Sequence, residues 1–172
     1  MLKVNKKKCV FIIVPSLVSD SPVKGAIILA KELKYIYNVT LVALKKTDKP
    51  INISQDIKLI SLHEQRGFIK KVIKLKSIIK TDFKSQSIVS FSSCLSADIV
   101  NSFCGDVATI CTSVRGNLFK VYTFSYGFFG KIIAFLHFKF IKKFDVIISM
   151  SEFMSKQIRL NISKKSIIIG NF

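Results

Sequence analysis

The sequence predicts an α/β domain: a parallel sheet of about seven strands with helices on both faces. Three observations predict it. Short apolar runs rich in β-branched residues recur along the chain, as expected of strands buried on both faces. Stretches with helical spacing of apolar residues separate most of them, and strand alternating with helix is the signature of parallel pairing. Hydrophobic residues make up 49% of the 172 residues, enough to give one domain a substantial core.

The first run, "CVFIIV" (9–14), follows the lysine-rich start "MLKVNKKK". Lysines ahead of an apolar stretch also open secretory signal peptides. Here Pro15 interrupts the stretch, no A-x-A cleavage site follows and similar runs recur downstream, so the segment reads as a first buried strand behind a solvated basic end. A helical pattern over 23–37 leads to the second strand, "VTLVAL" (39–44). The link "KKTDKPINISQD" (45–56) is polar and holds Pro50, which makes it a surface connection rather than a domain boundary; "IKLISL" (57–62) follows as the third strand. Helix 66–84 precedes "SIVSF" (87–91), helix 94–103 precedes "VATICT" (107–112), and a long helical stretch over 118–144 precedes "DVIISM" (145–150). A helix over 151–160 then leads to the closing "SIIIGNF" (166–172), whose strand would normally feed a further crossover.

Charge narrows the partners. The chain carries 28 Lys and Arg against 10 Asp and Glu, a net charge of +18 spread along its length, so an anionic partner is expected. Cys9, Cys94, Cys104 and Cys111 form no C-x-x-C pair and only His63 and His137 could assist them, so they read as buried thiols of a reducing, cytoplasmic compartment, with no metal site. "HEQRG" (63–67) lacks the second histidine of a zinc protease. The sequons at Asn38, Asn52 and Asn161 carry little meaning in a cytoplasmic chain.

In open α/β sheets ligands bind beyond the carboxyl ends of the strands, which directs attention to four loops. The first, 15–25, has neither G-x-G-x-x-G nor a Walker A sequence, but Lys24 and Gly25 could present a cation and amides to a phosphate; a plain turn with a solvated lysine is equally compatible. The fourth-strand loop offers Ser92 and Ser93. "SVRGN" (113–117) sets Arg115, Gly116 and Asn117 just past a buried strand, where a guanidinium suits bidentate phosphate recognition, although a surface arginine beside a Gly-Asn turn has the same sequence. Ser151 and Glu152 sit at the last rim position, where helix capping alone accounts for both.

Two basic, apolar segments stand out. In "RGFIKKVIKLKSIIK" a helical projection gathers Phe68, Ile69, Val72, Leu75 and Ile79 on one arc, with Lys70, Lys71 and Lys74 opposite. The stretch 118–144 holds eight of the fifteen Phe, plus Tyr122 and Tyr126, and ends near Lys142 and Lys143. Lys120, Lys131 and Lys139 interrupt it too often for a spanning helix. Aromatics interleaved with lysines fit a helix lying in the headgroups of an anionic leaflet, and equally fit core helices with basic outer faces. Nucleic acid is not an expected partner: stacking platforms usually sit on strands, and no RRM, KH, zinc-finger or helix-turn-helix signature is present.

In order and spacing, several motifs resemble the amino-terminal, acceptor-side domain of the family 4 glycosyltransferases, a Rossmann-like half of the GT-B architecture. They are "VKGAIILAKELKYIYNVTLVAL", "IVSFSSCLSADIV", "CTSVRGN", "FDVIISMSEFMSKQI" and "SIIIGNF", and they run over nearly the whole chain. The resemblance implies one domain over 1–172, with the carboxyl-terminal donor-binding half and its E-x7-E motif supplied by a missing segment or a separate chain. It implies a retaining transferase, without a cofactor, that moves sugar from a nucleotide-sugar to a polysaccharide or lipid-linked acceptor at the inner face of the cell membrane, and a chain inactive alone. On this reading Lys24, Gly25, Arg115, Gly116 and Asn117 meet a nucleotide or acceptor phosphate, Ser92, Ser93, Ser151 and Glu152 line the rim, and Lys70, Lys71, Lys74, Lys142 and Lys143 face the membrane. Lys24-Gly25 replaces the paired glycines of many members, and Ser92 and Ser93 stand where some place a histidine, so no catalytic base is assigned. The rival reading is a non-catalytic membrane- or partner-binding module that kept the fold.

Overall fold

Six successive apolar residues, Cys9–Val14, form strand β1, and all six are buried because the strand lies inside the sheet with a neighbour on each side. The computed structural model describes residues 8–18, 21–46, 53, 56–82 and 87–170. The basic start, the stretch around Pro50 and the last two residues lie outside them.

Six more strands join β1: β2 (Asn38–Ala43), β3 (Lys58–Ser61), β4 (Ile88–Ser92), β5 (Thr109–Val114), β6 (Val146–Ser149) and β7 (Ile167–Ile168). All pair in parallel, in the order β3-β2-β1-β4-β5-β6-β7. The predicted fold class is the observed one. The order reverses between β1 and β4, which opens a crevice at their carboxyl ends. β5 begins two residues later than the sequence suggests, because Val107 and Ala108 both donate their amides to the Cys104 carbonyl and so close the preceding turn.

The helices are α1 (Ser21–Leu33), α2 (Phe68–Asp82), α3 (Leu95–Asn101), α4 (Leu118–Tyr126), α5 (Gly130–Ile141) and α6 (Glu152–Ile162). Alternation along β1 sends Val10, Ile12 and Val14 to one face, where α1 meets them with Val23, Ala26, Ile27 and Ala30. Phe11 and Ile13 point to the other face and share a core with buried residues of α2 to α6, including Leu75, Phe138 and Ile158. Both faces are covered, but by one helix against five among the described residues. Burial on both faces holds for the central strands only; the edge strands β3 and β7 are largely exposed.

Two helical expectations need correction. The stretch 118–144 is not one helix. Gly127 adopts φ +55°, a conformation that favours glycine, and a 3₁₀ turn at Gly127–Phe129 separates α4 from α5. A Cβ on Gly130 would collide with the backbone of Tyr122 and Thr123, so the two helices fold back on each other and touch backbone to backbone there. Leu118–Ile141 is long and apolar enough, by length and composition, to cross a membrane. Divided in this way, α4 and α5 measure about 14 and 18 Å at 1.5 Å per residue, each short of a hydrocarbon core about 30 Å thick.

In α2, Val72, Leu75 and Ile79 are buried as projected, whereas Phe68 is 40% and Ile69 67% exposed, so the buried arc does not reach the first turn. Lys71 does not point outward with Lys70 and Lys74. Its ammonium donates to the Leu44 carbonyl, and burial lowers its pKa from the ordinary lysine range, with Lys45 adding to the effect.

Candidate functional site

A cavity of about 490 Å³ opens at the carboxyl ends of β4 and β5, between the loops that follow them and the α4–α5 hairpin. Its volume falls among small-molecule sites, which span roughly 300–1,000 Å³. Ser93, Cys94, Asp98, Arg115, Gly116, Tyr122, Tyr126 and His137 are among its lining residues, and Lys45 reaches it from the loop after β2.

Sequence explains the floor. Strands β4 and β5 carry Ser90, Ser92 and Thr112 at fully buried positions, and buried hydroxyls require partners. Helix α3 supplies them at i and i+3. Asp98 Oδ1 accepts from Ser92 Oγ at 2.6 Å and from Thr112 Oγ1 at 2.8 Å, while Asn101 Oδ1 accepts from Ser90 Oγ at 2.7 Å. The Asn101 amide in turn donates to the Ser90 carbonyl at 2.9 Å and to Ser92 Oγ at 3.0 Å.

The network continues into the hairpin. His137 of α5 places Nε2 2.9 Å from Asp98 Oδ2, and Nδ1 lies 2.7 Å from the Tyr122 hydroxyl of α4. A carboxylate that already accepts from two hydroxyls accepts from the imidazole as well, which puts a histidine proton on Nε2. With the ring neutral, Tyr122 O–H donates to Nδ1. Burial, and after it the negative charge of Asp98, pushes the Tyr122 pKa well above the ordinary tyrosine range. The relay Asp98–His137–Tyr122 is thus a chain of three buried groups ending on a neutral phenol at the cavity.

The mouth is basic. The Arg115 guanidinium lies against the α-carbon of Gly25, joining the loop after β5 to helix α1 across the sheet. Gln157 of α6 fixes that loop, accepting from Leu118 N at 2.9 Å and donating to the Gly116 carbonyl at 3.2 Å. Cys94 takes φ 84°, ψ 146° at the start of α3, strain of a kind that clusters at functional sites.

Of the residues selected from sequence, Ser93, Arg115 and Gly116 line the cavity, Gly25 packs under Arg115, and Ser92 is built into the floor. Asn117 caps α4, accepting from Lys120 N at 3.0 Å, and Ser151 caps α6, accepting from Met154 N at 3.3 Å. Glu152 is exposed in the first turn of α6, and Lys24 is exposed on α1; neither lines the cavity. Asp98, His137 and Tyr122 are the residues sequence reasoning missed as a group. The signal was there: hydroxyl residues inside apolar strands, followed by an Asp and an Asn at helical spacing.

The two basic segments share a surface. Phe68 of α2 meets Phe103 at a centroid distance of 5.3 Å, Phe103 meets Phe140 of α5 at 6.2 Å, and the Lys143 ammonium sits 4.0 Å from the Phe103 ring centre. Lys70, Lys74 and Lys142 are exposed on the same two segments. At the hairpin turn Phe124 is 94% and Phe128 84% exposed.

A solved alpha-glucosyltransferase in complex with UDP and a 13-mer DNA containing an HMU base matches over 95% of this chain, with a TM-score of 0.54 and 11% sequence identity. The fold is that of one half of a GT-B glycosyltransferase. The chain spans 42% of that enzyme's length. No protein-family model and no curated protein matches the sequence. The cavity occupies the strand-end crevice where open α/β sheets bind ligands.

Proposed function

We propose that the chain is the acceptor-side half of a retaining glycosyltransferase of the family 4 type, which moves sugar from a nucleotide-sugar to a polysaccharide or lipid-linked acceptor. The observation that carries this reading is the contact between Arg115 and Gly25 at the mouth of the strand-end cavity: a permanent cation, held over the first turns of α1, faces the place where a diphosphate leaving group or an acceptor phosphate gathers charge. The DNA bound by the similar enzyme is not carried over, since this chain's basic surface pairs with exposed apolar rings rather than with a recognisable nucleic-acid motif.

The donor sugar needs a second wall, supplied by a companion domain or chain, so the domain alone is expected to transfer no sugar. Sugar transfer by the purified chain refutes the half-enzyme reading. Titration of the ¹⁵N-labelled chain with UDP, and with pyrophosphate as minimal probe, tests the site. Shifts are expected at the amides of Gly25, Arg115 and Gly116, abolished by Arg115→Ala; diphosphate binding that leaves these amides unmoved overturns the assignment.

Lys70, Lys74, Lys142 and Lys143, beside the Phe68–Phe103–Phe140 row, favour a peripheral position on an anionic, cytoplasmic leaflet, each lysine near the surface contributing about 1 kcal/mol. The same surface supports the second reading, a membrane- or partner-binding module without chemistry. Co-sedimentation with phosphatidylserine vesicles should be strong at low salt and weak at high salt. Absence of vesicle binding removes the lipid role, and absence of diphosphate binding alongside vesicle binding favours the module.

A further inference from the structure

We propose that the relay Asp98–His137–Tyr122 is a proton-operated selector: when the His137 ring takes up a second proton, the Tyr122 hydroxyl turns away from it and changes from an acceptor to a donor toward the cavity. The inference concerns how the cavity's preference is regulated and stands without the transferase reading.

The network accommodates the imidazole in either charge state. Asn101 donates to Ser92 Oγ, so the Ser92 proton goes to Asp98 Oδ1 at 2.6 Å, and Thr112 donates to the same oxygen at 2.8 Å. Asp98 Oδ2 lies 2.9 Å from His137 Nε2. A proton added to Asp98 would be set against one of these three donors, whereas Nδ1 takes one without losing a bond. With the ring neutral, Nδ1 accepts from the Tyr122 hydroxyl; with the ring charged, Nδ1 donates to the same oxygen across the same 2.7 Å. No heavy atom has to move. A proton from solvent binds Nδ1, the phenol O–H rotates about its C–O bond, and one hydrogen bond reverses. The phenol keeps its own proton, because burial, and after it the Asp98 charge, raise its pKa above the ordinary tyrosine range.

The groups around the ring leave this role to His137, which is the only group hydrogen-bonded to Asp98 that can become a cation among the described residues. Helix α4 presents Tyr122 and Tyr126, and the loop before α3 presents Cys94. Helix α6 shares the core through Ile158 and Ile162, while its Glu152, Lys156 and Arg159 are exposed, as are Lys131 and Lys139 of α5. Of the other polar groups lining the cavity, Ser93, Ser96 and Ser113 carry hydroxyls that donate or accept at any pH, and Lys45 and Arg115 carry donors only. Tyr122 alone has its hydrogen-bonding sense set by a titratable neighbour. Beside a neutral ring it offers lone pairs, which suit a hydroxyl or amide. Beside a charged ring it offers O–H, and the relay's negative charge is cancelled, which suits an anionic oxygen.

The ¹⁵N-labelled chain tests this, because it has two histidines and the exposed His63 serves as reference. One-bond N–H couplings on the His137 ring should appear at Nε2 alone at about pH 8 and at both nitrogens at about pH 5.5, reversibly and with unchanged circular dichroism, since histidine ordinarily changes charge in this interval. Sulfate, whose own charge is the same at both values, is the binding probe. Its affinity, read at the Val121 and Tyr122 amides, should rise about tenfold on acidification, the effect of one hydrogen bond to a charged group. His137→Gln should bind sulfate equally at both values, and Tyr122→Phe should lose most of the gain. If a variant fails to fold, the couplings in the parent chain decide. The selector is overturned by a ring that carries the same protons at both values, by loss of the fold at about pH 5.5, by sulfate binding confined to the Arg115 amide, or by a gain that survives in either folded variant.

Discussion

The guanidinium of Arg115 rests on the α-carbon of Gly25, so closely that a methyl group there would come within 2.9 Å of Nη2 and 3.0 Å of Cζ. Gly25 lies inside α1, where alanine is favoured over glycine by roughly 0.5–1 kcal/mol, and the obstructing atoms belong to the end of a flexible side chain. Gly25→Ala is therefore expected to leave the thermal midpoint unchanged or raised, while UDP affinity falls several-fold as Arg115 is displaced. A calorimetric scan paired with a UDP titration reads both effects. A loss of stability and affinity together contradicts this account of the contact.

Gly130 presents the opposite case, since the atoms a Cβ would meet there are backbone atoms of Tyr122 and Thr123. Neither can yield without parting the hairpin. Overpacking of this kind costs about 1–3 kcal/mol, so Gly130→Ala should lower the urea midpoint accordingly and broaden the His137 signals. Unchanged stability would show that the hairpin arms are further apart than described.

Removing the carboxylate of Asp98 leaves two hydroxyls and an imidazole N–H buried without their acceptor. Deleting one partner of a buried charged network costs about 3–5 kcal/mol, a large part of the roughly 5–15 kcal/mol that hold a typical domain. Asp98→Ala should fold marginally or not at all at 37 °C, as judged by circular dichroism. A variant as stable as its parent places the network's contribution elsewhere.

Burial pushes the thiols of Cys104 and Cys111 up to about 12, with the Asp98 charge adding to the rise at Cys111. In the unfolded chain they ionise near pH 8.5. The folded state favours the neutral thiols, so this contribution to stability is complete below about pH 8.5 and is lost as the pH climbs toward about 12. Iodoacetamide at pH 8.5 should modify the half-buried Cys94 first, with Cys104 and Cys111 protected until urea unfolds the chain. Early modification of Cys104 in the folded protein argues against a closed core beneath α3.

Phe124 and Phe128 stand almost fully in solvent at the hairpin turn. Replacing both with serine should change stability by no more than about 0.5 kcal/mol, as for surface sites in general, yet reduce recovery with phosphatidylserine vesicles by several-fold. Undiminished recovery shifts the lipid contact to the row formed by Phe68, Phe103 and Phe140.

The sheet was legible because its central strands are apolar on both faces, a pattern no surface element shows; β1 is read to the residue from "CVFIIV". The loop that bears Arg115 was legible for the same reason, since it is counted from a strand end, whereas Gly25, read as part of the first loop, lies inside α1, which begins four residues earlier at Ser21. The hairpin was not, because the residues around Gly127 keep an apolar pattern through the turn, and only the close approach at Gly130 betrays that the arms meet. The relay escaped because Asp98, Tyr122 and His137 come from three helices, and linear spacing carries no information about which of their side chains converge. Lys71 was misplaced because helical projection fixes the direction of a Cβ, whereas a long lysine stem can bend back to a carbonyl.

The short strand β7 ends the sheet with Ile167 and Ile168 exposed and with no described strand hydrogen-bonded along its outer side. At two residues it is a very short border, and brevity is one of the ways natural sheets keep an open edge from pairing with another chain. Concentrated preparations should therefore stay dispersed as far as this border is concerned, and self-association abolished by a charged residue in place of Ile168 would show that so short a strand is not protection enough.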